Sequence, residues 1–181
     1  MQQTYSDALI ATLRHGGVAI MRTDTIYGIV GLATHEATVE RIYRSKQRTP
    51  TKSPIILIGD ISQMFDRYND MISAIFPTYW PGPNSLILPS SNAPTWIIRD
   101  NASVAYRLPA DQALRKLLIE TGPLIAPSAN PEGAPPALSI VEARAYFGAH
   151  IDHYEDGGIC RSPAASRIYK VNPDATVTQL R

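Results

Sequence analysis

The chain has 181 residues, 44% of them hydrophobic and 18% charged. That is enough for one domain burying about two-thirds of its unfolded surface, and too apolar for a disordered chain. Lys plus Arg number 17 against 16 Asp plus Glu, which excludes wholesale electrostatic binding to nucleic acid, so any basic site must be local. The single Cys160 excludes an internal disulfide and suggests a reducing compartment, and no apolar run approaches a signal-peptide core or a membrane span. A cytoplasmic enzyme or binding protein is expected.

In chain order, Tyr5 to Arg14 carries Ala8, Leu9, Ala11, Thr12 and Leu13 at helical spacing, with Thr4 or Ser6 to cap it and Gly16-Gly17 to stop it. Val18–Met21 reads as a short buried strand, Thr23-Asp24-Thr25 as a polar loop, and Ile26–Leu32 as apolar β-type sequence with glycines. Glu36 to Lys46 puts Val39, Ile42 and Tyr43 on one face of a helix that ends in basic residues. Pro54–Ile58 is a strand, and Ser62 to Phe76 is expected to be helical until Trp80-Pro81-Gly82-Pro83 breaks it. Ser85–Leu88 and Val104–Leu108 are further strands, Asp111–Glu120 a helix stopped by Gly122-Pro123, and Leu124 opens another strand. Ser139 with Glu142 forms a capping box for a last helix to Phe147. Ile151–Tyr154, the Asp156-Gly157-Gly158 turn, and strands around Ile168–Val171 and Thr176–Leu180 complete the chain. Helices and strands alternate throughout, so the class is α/β with a mixed sheet, in a single domain over residues 1–181.

Two polar stretches stand where a buried strand meets a loop: Lys46-Gln47-Arg48 and Ser128-Ala129-Asn130. A helix C-terminus attracts cations without further purpose, and Ser and Asn are ordinary turn residues. However, Arg44, Arg48 and Lys52 crowd one corner, more than capping requires, and the Ser/Asn stretch would face the crevice at the ends of strands. Together they would suit a phosphate-bearing ligand without a P-loop; the Ser/Asn stretch would equally suit a ribose or an acyl oxyanion. Arg107, in an otherwise apolar strand, needs either an internal carboxylate or a ligand carboxylate, and the ligand is favoured. Thr23–Gly28 is a simple connection or a loop whose hydroxyls face the same pocket. The histidines lack metal-site spacing, and His150 and His153 read as surface residues. No catalytic triad, Rossmann fingerprint or Walker lysine is present, so a covalent nucleophile is not indicated.

Read in order, these pieces resemble the YrdC/TsaC family of threonylcarbamoyl-AMP synthases. Arg22-Thr23-Asp24-Thr25-Ile26-Tyr27-Gly28 is similar to the opening P-T-[ED]-T-x-Y-G, and Lys46-Gln47-Arg48 matches K-x-R. Trp80–Ser85 resembles W-P-G-P-x-T, and Val104–Pro109 resembles V-A-x-R-x-P. Ser128-Ala129-Asn130 matches S-A-N, Asp156-Gly157-Gly158 matches D-G-G, and Ala165–Ile168 resembles P-S-T-[IV]. The likeness runs from about Ser6 to Arg181, without the further C-terminal domain of longer members.

The resemblance implies a twisted mixed sheet flanked by helices, with a basic concave pocket. It implies condensation of L-threonine, bicarbonate and ATP to threonylcarbamoyl-adenylate and pyrophosphate, serving N6-threonylcarbamoyladenosine formation in tRNA with a separate transferase complex. By carry-over, Lys46, Arg48, Ser128 and Asn130 would hold the ATP phosphates, with Ser85 near the nucleotide. Thr23, Arg107 and Ser166 would orient threonine, Arg107 pairing its carboxylate. Magnesium is expected on the phosphates, held by ATP and water, with no protein general base assigned. The other readings are an RNA-binding or ribosome-maturation module of the same fold, and carbamoyl transfer to another acceptor.

Overall fold

The computed structural model describes residues 4–161 and 164–181. Helix α1 (Asp7–Arg14) starts where the Ser6 hydroxyl accepts the Leu9 N–H at 3.2 Å. Strands β1 (Ala19–Arg22) and β2 (Tyr27–Leu32) form a hairpin, followed by α2 (Glu36–Lys46) with Val39, Ile42 and Tyr43 buried. Then come β3 (Ile55–Leu57), the single-turn helices α3 (Asp70–Ser73) and α4 (Phe76–Tyr79), β4 (Asn84–Pro89), the single-turn α5 (Thr95–Ile98) and β5 (Ser103–Arg107). Helix α6 (Gln112–Thr121), capped by Asp111, leads into the two-residue β6 (Leu124–Ile125). Helix α7 (Ile140–Phe147), β7 (His153–Glu155), β8 (Arg167–Val171) and β9 (Val177–Gln179) follow. Ser139 accepts the Glu142 N–H at 3.2 Å, while the Glu142 carboxylate reaches back past it to the N–H of Leu138 at 2.8 Å.

Among the described residues the strands make one mixed sheet of nine, ordered β7-β1-β2-β6-β3-β5-β4-β8-β9. Alternation along the strands puts Ala19, Met21, Val30, Leu57 and Leu124 on one face, where Leu9 and Leu13 of α1 and Leu114, Leu117 and Leu118 of α6 cover them. The opposite face carries Ile20, Ile29, Ile56, Leu86 and Tyr106, packed with Val39 and Ile42 of α2, Phe147 of α7, and Phe76 and Ile97. Beyond α1 and α6 no helix among the described residues covers the first face. There Ile55, Ala105, Ile87 and Ile168 lie side by side through the pairs Ile55↔Ala105, Ile87↔Ala105 and Ser85↔Ile168, and they floor a cleft. The cleft therefore spreads over the open face of the sheet rather than sitting only at strand ends.

The helix expected over Ser62–Phe76 does not form. A short 3₁₀ turn at Ile61–Gln63 and the turns α3 and α4 replace it. The cause is polar side chains that compete with helical hydrogen bonding. Asp60 caps the first turn through the Ser62 N–H, and Asn69 caps α3 through the Ile72 N–H. Between them Asp66, 7% exposed, turns inward and accepts from the Ser91 and Asn92 N–H groups at 3.0 Å and from the Ser90 hydroxyl. The apolar residues of the segment, Ile72 and Phe76 among them, still reach the core. The two histidines expected at the surface differ: His150 is exposed, but His153 is half-buried on β7 with Nε2 2.6 Å from Glu155 Oε2. Cys160 is buried with Sγ 3.5 Å from the Thr25 carbonyl. Among the described residues no helix is long and apolar enough to cross a membrane.

Replacing Asp66 with Ala leaves the Ser91 and Asn92 N–H groups without their acceptor. It should lower unfolding stability by about 2–3 kcal/mol, the cost of stranded buried donors, measured by urea denaturation.

Candidate functional site

The two polar stretches meet because β6 runs antiparallel to β3. Ile56 and Leu57 pair with Ile125 and Leu124, so the residues before β3 lie beside those after β6. The chain after β6 is also drawn against β2: Ile29 N–H donates to Pro127 O at 3.0 Å and Ala129 N–H to Tyr27 O at 2.9 Å. A Cβ on Gly28 would stand 3.3 Å from Pro127 O, tighter than ordinary packing, so this approach favours glycine.

Lys46 is the join between the stretches. Expected to hold ATP phosphates, it is instead 2% exposed, because its side chain turns from the last turn of α2 into the Ser128–Asn130 turn. Its Nζ donates to the backbone carbonyls of Ser128 and Asn130, with Asn130 Oδ1 at 3.5 Å. Burial, with Arg48 adding repulsion, pulls the ammonium down to about 7. Asn130, also buried, donates from Nδ2 to Ala134 O at 2.7 Å and Pro131 O at 3.0 Å, and so shapes the same turn.

The cleft these elements border holds about 520 Å³. Arg48, Thr51, Lys52, Ser53, Pro127 and Ser128 line its side toward β6. Thr23, Thr25, Gly28 and Arg107 line it toward the β1–β2 turn, and Ser166, Ile168 and Arg181 toward β8. Arg48, Lys52, Arg107 and Arg181 thus face one cavity, and among the described lining residues there is no Asp or Glu. Arg48 Nη2 donates to Ser53 O at 3.0 Å while its buried Nε–H has no partner among the described residues, an orphan donor beside the cleft.

Of the residues singled out in the sequence, Thr23, Arg48, Arg107, Ser128 and Ser166 line the cleft together; Lys46, Asn130 and Ser85 do not. Ser85 is fully buried beneath Ser166, the hydroxyls 2.9 Å apart. The Thr23 hydroxyl closes its own turn by donating to Ile26 O at 2.7 Å. Arg107 has an internal partner after all: its Nη1 donates to Asp24 Oδ1 at 2.8 Å, because the β1–β2 turn folds back over the end of β5. Burial pushes the Asp24 carboxyl up against the pull of this guanidinium, and pulls Arg107 down. Sequence reasoning missed Ser53, Asn101, Ser103 and Arg181 as lining residues. Ser103 was within reach, since it shares a strand face with Arg107; for Arg181, whose Nη2 donates to Ser166 O at 2.9 Å, no sequence signal existed.

Because the Lys46 ammonium is disfavoured in the fold, the unfolded chain binds more protons between about pH 7 and the ordinary lysine value of about 10.4. Stability should therefore gain from this group as pH rises through that window. Chemical denaturation at pH 7 and pH 9 should show the gain in the native protein and its loss in Lys46→Met.

The profile of the Sua5/YciO/YrdC domain, described as "Telomere recombination", matches residues 11–181. A threonylcarbamoyl-AMP synthase of Marinobacter nauticus is 31% identical over 166 residues, covering 88% of this chain and 87% of its own. The protein of the same name from Stenotrophomonas maltophilia is 33% identical over 144 residues, covering 76% and 77%. Among solved structures, P. abyssi Sua5 complexed with L-threonine superposes with a TM-score of 0.85 at 29% identity, over 96% of this chain and 52% of that one, so this chain spans about half of it. E. coli YciO superposes with a TM-score of 0.84 over 100% of this chain and 95% of its own at 18% identity, a likeness of fold. With the domain matched from residue 11 to residue 181 and these relatives aligned over most of its length, the chain belongs to the Sua5/YciO/YrdC family.

Proposed function

We propose that this chain is an L-threonylcarbamoyladenylate synthase, a nucleotidyltransferase that condenses L-threonine, bicarbonate and ATP to threonylcarbamoyl-AMP and pyrophosphate. The observation that carries this reading is the cleft wall: Arg48, Lys52, Arg107 and Arg181 converge with hydroxyl groups, without a carboxylate among the described lining residues. Such a wall suits a phosphate chain and an amino-acid carboxylate held side by side. The names of relatives about 31% identical over most of the chain support it, as does L-threonine in the complex of the P. abyssi protein.

In this reading Arg48, Lys52 and Ser128 face the phosphates. Lys46 adds positive charge from behind the Ser128–Asn130 turn, and Asn130 keeps the turn in shape. Arg107, already aimed by Asp24, takes the threonine carboxylate, with Thr23 and Ser166 beside it and Ser85 holding the Ser166 hydroxyl from below. The threonine amine attacks the carbon of bicarbonate, water leaves, and a carbamate oxygen then attacks the α-phosphorus of ATP as pyrophosphate departs. Both steps ask for alignment and neutralised charge rather than a protein nucleophile. Magnesium would ride on the ATP phosphates and water, and the cleft's own residues would contribute cations beside it. Delivery of the adenylate to tRNA through a separate transferase complex, in the cytoplasm, belongs to the same proposal.

Incubation of the purified protein with ATP, bicarbonate, magnesium and labelled threonine should give labelled adenylate and pyrophosphate. Binding of ATP and threonine without either product would overturn the catalytic assignment. Arg48→Ala should weaken ATP binding by about 1–3 kcal/mol, the range for a lost charged hydrogen bond. Isothermal titration with a non-hydrolysable ATP analogue measures this, and unchanged affinity would remove Arg48 from the phosphate site.

A further inference from the structure

Lys52 lies on the rim of the cleft, and its ammonium does not wait there unpaired. Residues 49–52 form a turn closed by the Lys52 N–H donating to Thr49 O at 3.2 Å. The carboxylate of Glu132, just past the Ser128–Asn130 turn, accepts from the Thr49 N–H, from the Thr49 hydroxyl at 3.0 and 3.2 Å, and from Lys52 Nζ. The backbone of the turn has other anchors. Tyr43 Oη donates to Lys52 O at 2.5 Å and Asn101 Nδ2 to Thr51 O at 2.8 Å. Glu132 N–H donates to Lys46 O at 2.8 Å, which fixes Glu132 from its own side. The turn and the carboxylate are therefore both held, and the part free to move is the lysine side chain, 56% exposed.

We propose that Glu132 is an internal competitor for Lys52: it parks the ammonium on the rim until a phosphate chain displaces the carboxylate. An exposed ion pair is weak and screened by salt, so several phosphate charges arriving beside Arg48 outbid one carboxylate for the same ammonium. Glu132 stays behind on Thr49. Lys52 turns inward and adds its charge to the phosphates, while the rim regains a bare carboxylate that speeds return of the lysine once the anion leaves. Glu132 acts through Lys52 and is a positioning residue. The inference rests on the proposed ATP site.

The test is titration of ATP, AMP and inorganic tripolyphosphate into the native protein, Glu132→Gln, Lys52→Ala and the double variant. Glu132→Gln should tighten ATP and tripolyphosphate about two- to fivefold, the fold-change of a weak exposed pair, and leave AMP unchanged. Lys52→Ala should weaken both polyphosphates, and in that background Glu132→Gln should do nothing. An equal tightening with and without Lys52 would mean a simple rim charge and would overturn the proposal, as would unchanged or weakened binding in Glu132→Gln. If the native protein bound neither polyphosphate, the ATP site itself would fall; if it bound them and only the coupling were absent, the competitor alone would fall.

Discussion

The shortest strand decides the most. Strand β6 has two residues, but its antiparallel pairing with β2 and β3 brings the end of α2 against the turn after β6. The buried ammonium of Lys46 then bridges them by donating to the Ser128 and Asn130 carbonyls. Taking an ammonium out of water is costly unless its donors are satisfied, and here backbone carbonyls rather than a carboxylate satisfy them. The carbonyls offset only part of that cost, so the amine holds its proton far less tightly than an exposed lysine, behind the wall where Ser128 and Arg48 face the cleft.

A second buried charge follows the opposite rule. Arg107, 4% exposed, carries Asp24 as a partner, and the pair spans from the β1–β2 turn to the end of β5. An ion pair of this kind orients more than it stabilises: removing either member strands the other. One side of the cleft is thus organised by a buried amine donating to backbone carbonyls, the other by a cation held at a fixed angle by its carboxylate. The Tyr27 hydroxyl adds a third tie, donating to Gly158 O at 2.7 Å and accepting the Gly157 N–H at 3.0 Å, which fastens the Asp156-Gly157-Gly158 turn to β2.

What the sequence made legible was local or periodic. The apolar spacing of Glu36–Lys46 matched helix α2 residue for residue, Ser6 and Ser139 capped the helices they preceded, and the alternating class gave a mixed α/β sheet. The proximity of Lys46–Arg48 to Ser128–Asn130 was legible through motif order. What depended on distant partners was not. Asp66 reads as one polar residue in a helical pattern until the N–H groups of residues 91 and 92 are seen around it. The depth of Lys46 cannot be told from a basic helix end, since an identical residue there is usually solvated. Asp24 gave no hint of Arg107 across 83 residues, and Arg181 enters the cleft wall only because β9 pairs with β8.

The half of the sheet that no helix among the described residues covers has a thermodynamic consequence. Helices α1 and α6 begin an apolar layer that stops short, leaving Ile55, Ile87, Ala105 and Ile168 as the floor of the cleft. Whatever settles on that floor completes the layer and adds its binding energy to the folded state alone. At a ligand concentration one hundred times Kd that gain is about 2.7 kcal/mol, a sizeable part of the stability of an ordinary domain. A ligand taken up on this floor would therefore raise the resistance of the fold to heat and proteolysis in step with its concentration.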